Sequence, residues 1–400
     1  KFGTFPTTCI NFDAFGHTRG LVDILKNSGY DSYLFCRPEP DMIELPDEDF
    51  LWEGFSGDTI MCNRAYNSYE SHRGEADQKI KGWMENNRNR PVGMVLWGIG
   101  NHGGGPSRVD FDNISKMAKE EKEFNIIHST PEAYFEQMKE KQLPIYKGIL
   151  NPRYIGCYTS QIRIKQLHRK LENELYMTEK MAAHAASSKL MKYPQDNIQQ
   201  ATKDLLLMEF HDILPGSAIQ PVENYSISLA GHGLEELGRV KTQAFLSLCS
   251  GQKVANDGEI PLLVYNPHPY EIPYIVECEF QLADQNKNKQ IFANPVVYQN
   301  GKKLPCQVEK EASNFNVDWR KKSVFYAKLK PGQINRFDAR IEMIDSKPVP
   351  VIRQTKDKFI FKTKEITVHI SKLNGTIDKY EVNGVDYIAK NAFLPVVIKD

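Results

Sequence analysis

The chain has 400 residues, too many for one ordinary core, so two or three domains are expected. Hydrophobic residues make up 40% and charged residues 26%, a globular composition that excludes a disordered or fibrous chain. Lys+Arg 51 cancels Asp+Glu 51, and a net charge of +0 argues against a nucleic-acid binder, which needs positive excess to neutralise phosphates.

The mean hydropathy is -0.50, and no apolar run is long enough to span a bilayer. The 7 cysteines form no CxxC pair and no zinc-finger spacing, so they read as mostly free thiols. The chain opens at Lys1 on what reads as the interior of a domain and stops on a strand-like run over 393–398. A piece of a longer protein is expected, which leaves the compartment open, with a weak lean to the cytoplasm.

In chain order, residues 1–150 read as alternating strands and helices. The apolar run 92–97 is short enough for a buried strand. A helix with charge pairs follows over 113–123, then a strand over 124–128. Pro131 opens a helix over 132–141, and 143–150 is strand-like again. Such units imply a mostly parallel sheet with helices packed on it, an α/β domain.

Three helices come next, suggesting a small bundle. The first is capped by Thr159 or Ser160 and runs to about Lys189, with Ile164, Leu167, Leu171 and Leu175 on one apolar face. The second spans 195–210 and the third 222–249. From Asp257-Gly258 the pattern alternates. Asn300-Gly301, Asn374-Gly375 and Asn383-Gly384 supply the positive φ angles of type I′ hairpin turns, so 255–400 is expected to be an antiparallel β-domain.

Four clusters could carry chemistry. Asp13-Ala14-Phe15-Gly16-His17 can place a carboxylate at a strand end, or Asp13 can cap the next helix. The run 97–106 holds five glycines after a predicted strand; it is neither a dinucleotide fingerprint nor a phosphate-binding loop, and composition alone favours a plain loop, while the position after a strand favours a site. Gly148-Ile149-Leu150-Asn151, followed by 156–160, reads as a connector leading to a helix start. In Phe210-His211-Asp212-Ile213-Leu214-Pro215-Gly216-Ser217, His211 is either a helix-end histidine favoured by the dipole or a metal ligand oriented by Asp212.

In this order the four clusters resemble glycoside hydrolase family 38, the zinc-dependent retaining α-mannosidases, and the blocks look close to its bacterial members. The resemblance covers residues 1 to about 250. It implies a β/α-barrel-like catalytic domain over 1–155, a three-helix bundle over 156–252 and a β-sandwich over 255–400. It also implies Zn2+ as cofactor and an α-mannoside or mannose-containing oligosaccharide as partner, with no nucleic acid and no membrane span; a homo-oligomer stays open. Asp13 matches the family's nucleophile and zinc ligand, and His211 its zinc-binding histidine. Phe15, Arg37, Asn101 and Asp212 match positions beside the sugar.

Two departures stand out. The family's His-x-Asp, which supplies further zinc ligands, is absent here and would lie before Lys1. Ile149 occupies the position of the acid/base carboxylate, and isoleucine cannot donate a proton. Glu140 and Glu172 are the nearest alternative carboxylates. The expected activity is α-mannoside hydrolysis with retention. A degenerate member that binds mannosides without turnover is the alternative that Ile149 favours. A zinc-dependent polysaccharide deacetylase is the alternative of a different class; it would use a metal-bound water and leave no covalent sugar adduct.

Overall fold

The structure, a computed structural model, describes residues 3–100, 104–152, 154–309, 311, 317–348, 351–389 and 391–394. It divides into two compact units, one of residues 1–168 and 208–228 and one of residues 169–207 and 229–400. Among the described residues no helix is long and apolar enough to cross a membrane. All seven cysteines are free, as expected.

The first unit is built on β1 (Thr8–Asn11), α1 (Leu21–Asn27), β2 (Ser32–Phe35), β3 (Asp49–Glu53), β4 (Thr59–Arg64), α2 (Ala76–Asn86), α3 (Arg108–Glu120), α4 (Pro131–Met138) and β5 (Ile145–Tyr146). The strands make one sheet in the order β1-β2-β4-β3-β5. All pairings are parallel except β3 with β4. That exception corrects the expected run of strand–helix units: β3 and β4 form a hairpin. Its turn closes with Gly54 N–H donating to the Asp58 carbonyl, and Gly57 sits at φ 90°, where glycine has no side chain to clash. The sheet is open among the described strands, with β1 and β5 at its edges, so these pairings do not close the barrel-like sheet expected.

β2 is buried along its whole length. Successive side chains of a strand point to opposite faces, so Tyr33 and Phe35 enter one core with Val22, Phe50, Trp52 and Leu150. Leu34 and Cys36 enter a second core with Tyr134, Phe135 and Met138. A strand covered on both faces reads as a continuous apolar run, which is what its sequence shows.

Two expected strands are corrected. Residues 92–97 alternate as a strand does: Val92, Met94 and Leu96 pack on the second core, Val95 and Trp97 on a third with Ile80, Ile114 and Met117. Yet the run joins no ladder. The Leu96 carbonyl accepts instead from the ammonium of Lys79 at 2.8 Å. Residues 124–128 are irregular, held by Ile126 against the same third core. Of 143–150, only β5 joins the sheet; Leu150 makes an isolated bridge with His17.

Next come a short 3₁₀ turn over Ile155–Tyr158 and the helices α5 (Ile162–Ser187), α6 (Gln195–Met208) and α7 (Gln220–Cys249). Neither expected cap of α5 acts as one. The Thr159 hydroxyl donates to the Gly156 carbonyl at 3.3 Å, and the Ser160 hydroxyl to the Gly216 carbonyl at 2.8 Å. In the second unit, Leu171 packs on Gly233, Lys241 pairs with Glu174 at 2.7 Å, and buried Asp204 takes His232 at 2.7 Å.

The rest of the second unit is antiparallel, as expected. β6 (Ile260–Asn266), β7 (Ile272–Asn286), β8 (Phe292–Gln299), β9 (Lys302–Lys303), β10 (Cys306–Glu309), β11 (Asp318–Leu329) and β12 (Gln333–Ile344) form two sheets, β10-β11-β7 and β6-β12-β8-β9. These share one core, in which Phe325 meets Phe337 edge to face at 5.0 Å, with Val276 and Val297 alongside. β13 (Arg353–Gln354), β14 (Lys358–Lys362), β15 (Ile366–Ser371), β16 (Ile377–Val382) and β17 (Val385–Asp386) make a third sheet in chain order. Asn300-Gly301 and Asn383-Gly384 both have paired positive φ angles, the type I′ signature, and join β8 to β9 and β16 to β17.

Candidate active site

In a parallel sheet the chain leaves every strand at the same end, and ligands gather beyond those carboxyl ends. Asp13 lies just past β1 and Arg37 just past β2. The register Asn11↔Phe35 sets the two loops side by side. Arg37 Nε donates to Asp13 Oδ1 at 2.7 Å. A second arm of the guanidinium, Nη1, donates to Glu39 Oε1 at 3.0 Å. Burial disfavours the Arg37 charge, but the Asp13 and Glu39 carboxylates outweigh it and hold its pKa above the ordinary value. The Asp13 side chain is 72% exposed, so its carboxylate is presented outward rather than spent inside the fold. The helix-capping reading of Asp13 fails: α1 begins after Gly20 with no side-chain cap.

Gly16 is required by proximity. A Cβ there would fall 1.9 Å from Asn151 Oδ1. Beside it, His17 and Leu150 exchange both main-chain hydrogen bonds, at 2.8 and 3.1 Å. This pairing lays 148–151 along the loop that carries Asp13. Ile149 therefore sits in the segment bridged to that loop, and is 57% exposed. The Phe15 ring packs on Tyr154 at 5.1 Å between centroids.

The glycine-rich run is a folded loop. Ile99 and Gly105 pair antiparallel, and a Cβ at Gly104 would meet the Ile99 carbonyl oxygen at 1.9 Å. Gly98 and Gly104 answer to the loop's own backbone and Gly100 to the Glu70 side chain, which favours the plain-loop reading for the part described. Asn101 lies outside the described residues.

His211 and Asp212 follow α6 in a turn held by Asp212: its carbonyl accepts from Ser217 and Ala218 N–H, and its Oδ1 from the Ser217 hydroxyl at 2.9 Å. That turn falls in the same compact unit as Asp13. It is tied to the start of α5: Gln161 Nε2 donates to the Ala218 carbonyl and Lys165 Nζ to the Pro215 carbonyl. The His211 side chain is 77% exposed, its Nε2 3.7 Å from Asp212 Oδ2. Zinc uses three or four protein ligands. Among the described residues no group of three or more His, Cys, Asp or Glu is placed to hold a metal ion. Asp13 and His211 are two donors, and Oδ1 of one is already taken by Arg37, so the described residues do not fit a complete zinc site.

Two residues to which sequence reading assigned no role of their own organise this end of the sheet. His17 bonds both the Arg37 carbonyl and the Tyr33 hydroxyl. Lys79, on α2, donates to the carbonyls of Ser68, Glu70 and Leu96 at 2.8 to 3.0 Å. Burial pushes its pKa down to about 8, against the opposing pull of Cys36 and Glu70. No sequence signal separates such a lysine from the solvated lysines of the same helix.

Residues 1–152 match the glycosyl hydrolases family 38 N-terminal domain, and residues 153–248 the alpha mannosidase middle domain. The chain is 26% identical over 282 residues to alpha-mannosidase 2C1 of Homo sapiens, covering 67% of this chain and 26% of that protein. It is 27% identical over 231 residues to an alpha-mannosidase of Saccharomyces cerevisiae, covering 53% of this chain and 21% of that one. Among solved structures, an alpha-mannosidase from Enterococcus faecalis V583 superposes with a TM-score of 0.68 at 16% identity, over 96% of this chain and 49% of that chain. The chain thus spans about a quarter of the length of these curated relatives.

Proposed function

The chain belongs to glycosyl hydrolase family 38, and from that premise we propose that it carries the nucleophile side of an α-mannosidase active site. The observation that supports this most is the outward-facing Asp13 carboxylate, oriented through Oδ1 by Arg37 at the carboxyl end of the sheet. On this reading Asp13 Oδ2 attacks the anomeric carbon of an α-mannoside, the bond to the leaving oxygen breaks, and a mannosyl ester of Asp13 forms. Water then attacks that ester, so the product keeps the starting configuration. Phe15, Arg37, Asn101 and Asp212 are proposed to contact the sugar.

Zinc, which the family resemblance implies, would find Asp13 and His211 as donors on this chain. No step proposed here passes through it. The leaving oxygen needs a proton, and Ile149 has none to give. That observation favours a second reading, in which the chain binds mannosides without turning over those with poor leaving groups.

The test is to incubate the chain with a fluorinated mannosyl fluoride and map adducts by mass spectrometry. A mannosyl adduct on the peptide holding Asp13 is expected. No adduct, with saturable mannoside binding by NMR, would select the binding reading. No adduct, with hydrolysis of an acetylated polysaccharide, would select the deacetylase.

A further inference from the structure

His17 is 2% exposed, and neither of its ring nitrogens is idle. Nε2 lies 2.8 Å from the carbonyl oxygen of Arg37 and Nδ1 2.6 Å from the Tyr33 hydroxyl. A carbonyl oxygen only accepts, so Nε2 carries the hydrogen. Burial pushes the His17 pKa down, against the pull of the Arg37 carbonyl, so the ring is neutral and Nδ1 is an acceptor. The Tyr33 hydroxyl must then donate to it. Tyr33 sits in β2, four residues before Arg37, with its ring edge-on to His17 at 5.5 Å. One tautomer in one orientation satisfies both bonds.

We propose that His17 is a positioning residue for the Arg37–Asp13 pair. Its ring fixes the main chain of Arg37, so that the guanidinium meets Asp13 Oδ1. Its own main chain, through Leu150, holds the 148–151 segment that carries Ile149. The segments that follow β1, β2 and β5 therefore converge on this one histidine. The proposal deepens the mannosidase reading and rests on it for its effect on turnover. The effect on Arg37 is independent of any substrate.

A histidine that merely fills the core could be replaced by another ring of similar size. His17→Phe keeps the ring and loses both side-chain bonds. His17→Gln keeps a donor for the Arg37 carbonyl and an acceptor for Tyr33. The first readout needs no ligand: hydrogen exchange of the Arg37 Nε–H by NMR on the full chain. It should be slow in the wild type, fast in His17→Phe and slow again in His17→Gln.

The second readout is kinetic. Turnover of an aryl mannoside should fall by on the order of 10- to 100-fold in His17→Phe, in kcat rather than KM, because a misplaced positioning group costs about that much. In an Arg37→Met background the same change should cost nothing further. A folded His17→Phe whose Arg37 Nε–H exchanges as in the wild type would overturn the proposal. Should His17→Phe not fold, Tyr33→Phe removes the hydroxyl that holds the ring, and unchanged Arg37 exchange there overturns it equally. If exchange responds as expected while no variant or wild type turns over mannosides, the positioning role stands and the mannosidase reading falls.

Discussion

Gly16 meets the Asn151 side chain where a Cβ would not fit: an alanine Cβ at 16 would lie 1.9 Å from Asn151 Oδ1 and 2.5 Å from its Cγ. The contact sits one residue from the His17–Leu150 pairing, so it sets how closely the Asp13 loop and the 148–151 segment approach.

Gly16→Ala is therefore expected to destabilise the chain by about 1–3 kcal/mol, the usual cost of forcing volume into a packed place. Gly156→Ala is the control, since a Cβ there meets nothing within 4 Å. It should stay within about 0.5 kcal/mol of wild type. Urea unfolding of both variants checks this; equal stability would mean that Asn151 moves aside freely.

Asp13→Asn should abolish turnover, by at least about 10³-fold in kcat, because a neutral amide is a much weaker nucleophile than a carboxylate and cannot form the mannosyl ester. Stability should change by no more than about 1 kcal/mol, since the Arg37–Asp13 pair is partly exposed and such pairs contribute little to folding. Arg37→Lys should also lose activity, because a lysine cannot present two fixed donors to Asp13 and Glu39 together. Kinetics alongside thermal melts separate the two effects. Full activity in Asp13→Asn would remove Asp13 from the chemistry.

Much of this arrangement was legible in the sequence, and the part that was not has physical causes. A strand end was one of two readings that the residues themselves offered for Asp13, whereas Arg37 was reached only through the family resemblance. Paired positive φ angles at Asn300-Gly301 and Asn383-Gly384 were legible because few other residue pairs adopt them. Residues 92–97 read as a strand because a short apolar run reports burial, and the packing is indeed two-sided. Burial does not report whether a ladder partner exists, and here Lys79, from another element, takes the Leu96 carbonyl. The bond between His17 and Tyr33 was hidden for a related reason. Nothing in the sequence links the two residues, and the bond depends on the β1–β2 register that brings the hydroxyl to the ring.

His232 and Asp204 give a prediction in the second unit. The hydrogen bond to Asp204, and then its charge, raise the His232 pKa above its ordinary value of 6.5. A raised folded pKa means that the protonated form is the one the fold favours. The stabilisation is complete below the unfolded pKa and is lost as pH rises through the higher folded one. Thermal melts of wild type and His232→Gln should therefore differ most near pH 5.5 and converge by pH 8.5, values chosen on either side of roughly 6.5. A gap that widens with pH would show that the pair does not act through the histidine charge.

Ile149→Glu tests where the missing proton comes from. The main-chain bridge of Leu150 with His17 puts position 149 in a segment beside the Asp13 loop. In retaining enzymes the two carboxyl groups stand about 5–5.5 Å apart, because no water need fit between them. Because the Ile149 side chain is 57% exposed, a glutamate there can be solvated, and its burial penalty is small. If Asp13 is the nucleophile and an acid is lacking, the substitution should raise hydrolysis of mannosides with poor leaving groups, toward the roughly 10²- to 10⁴-fold that general acid catalysis supplies. An activated aryl mannoside, whose leaving group departs without a proton, should respond little. The contrast between the two substrates is the measurement, because a general change in folding or binding would move both. Strong wild-type activity on the unactivated mannoside, unchanged by the substitution, would mean that another residue already donates the proton.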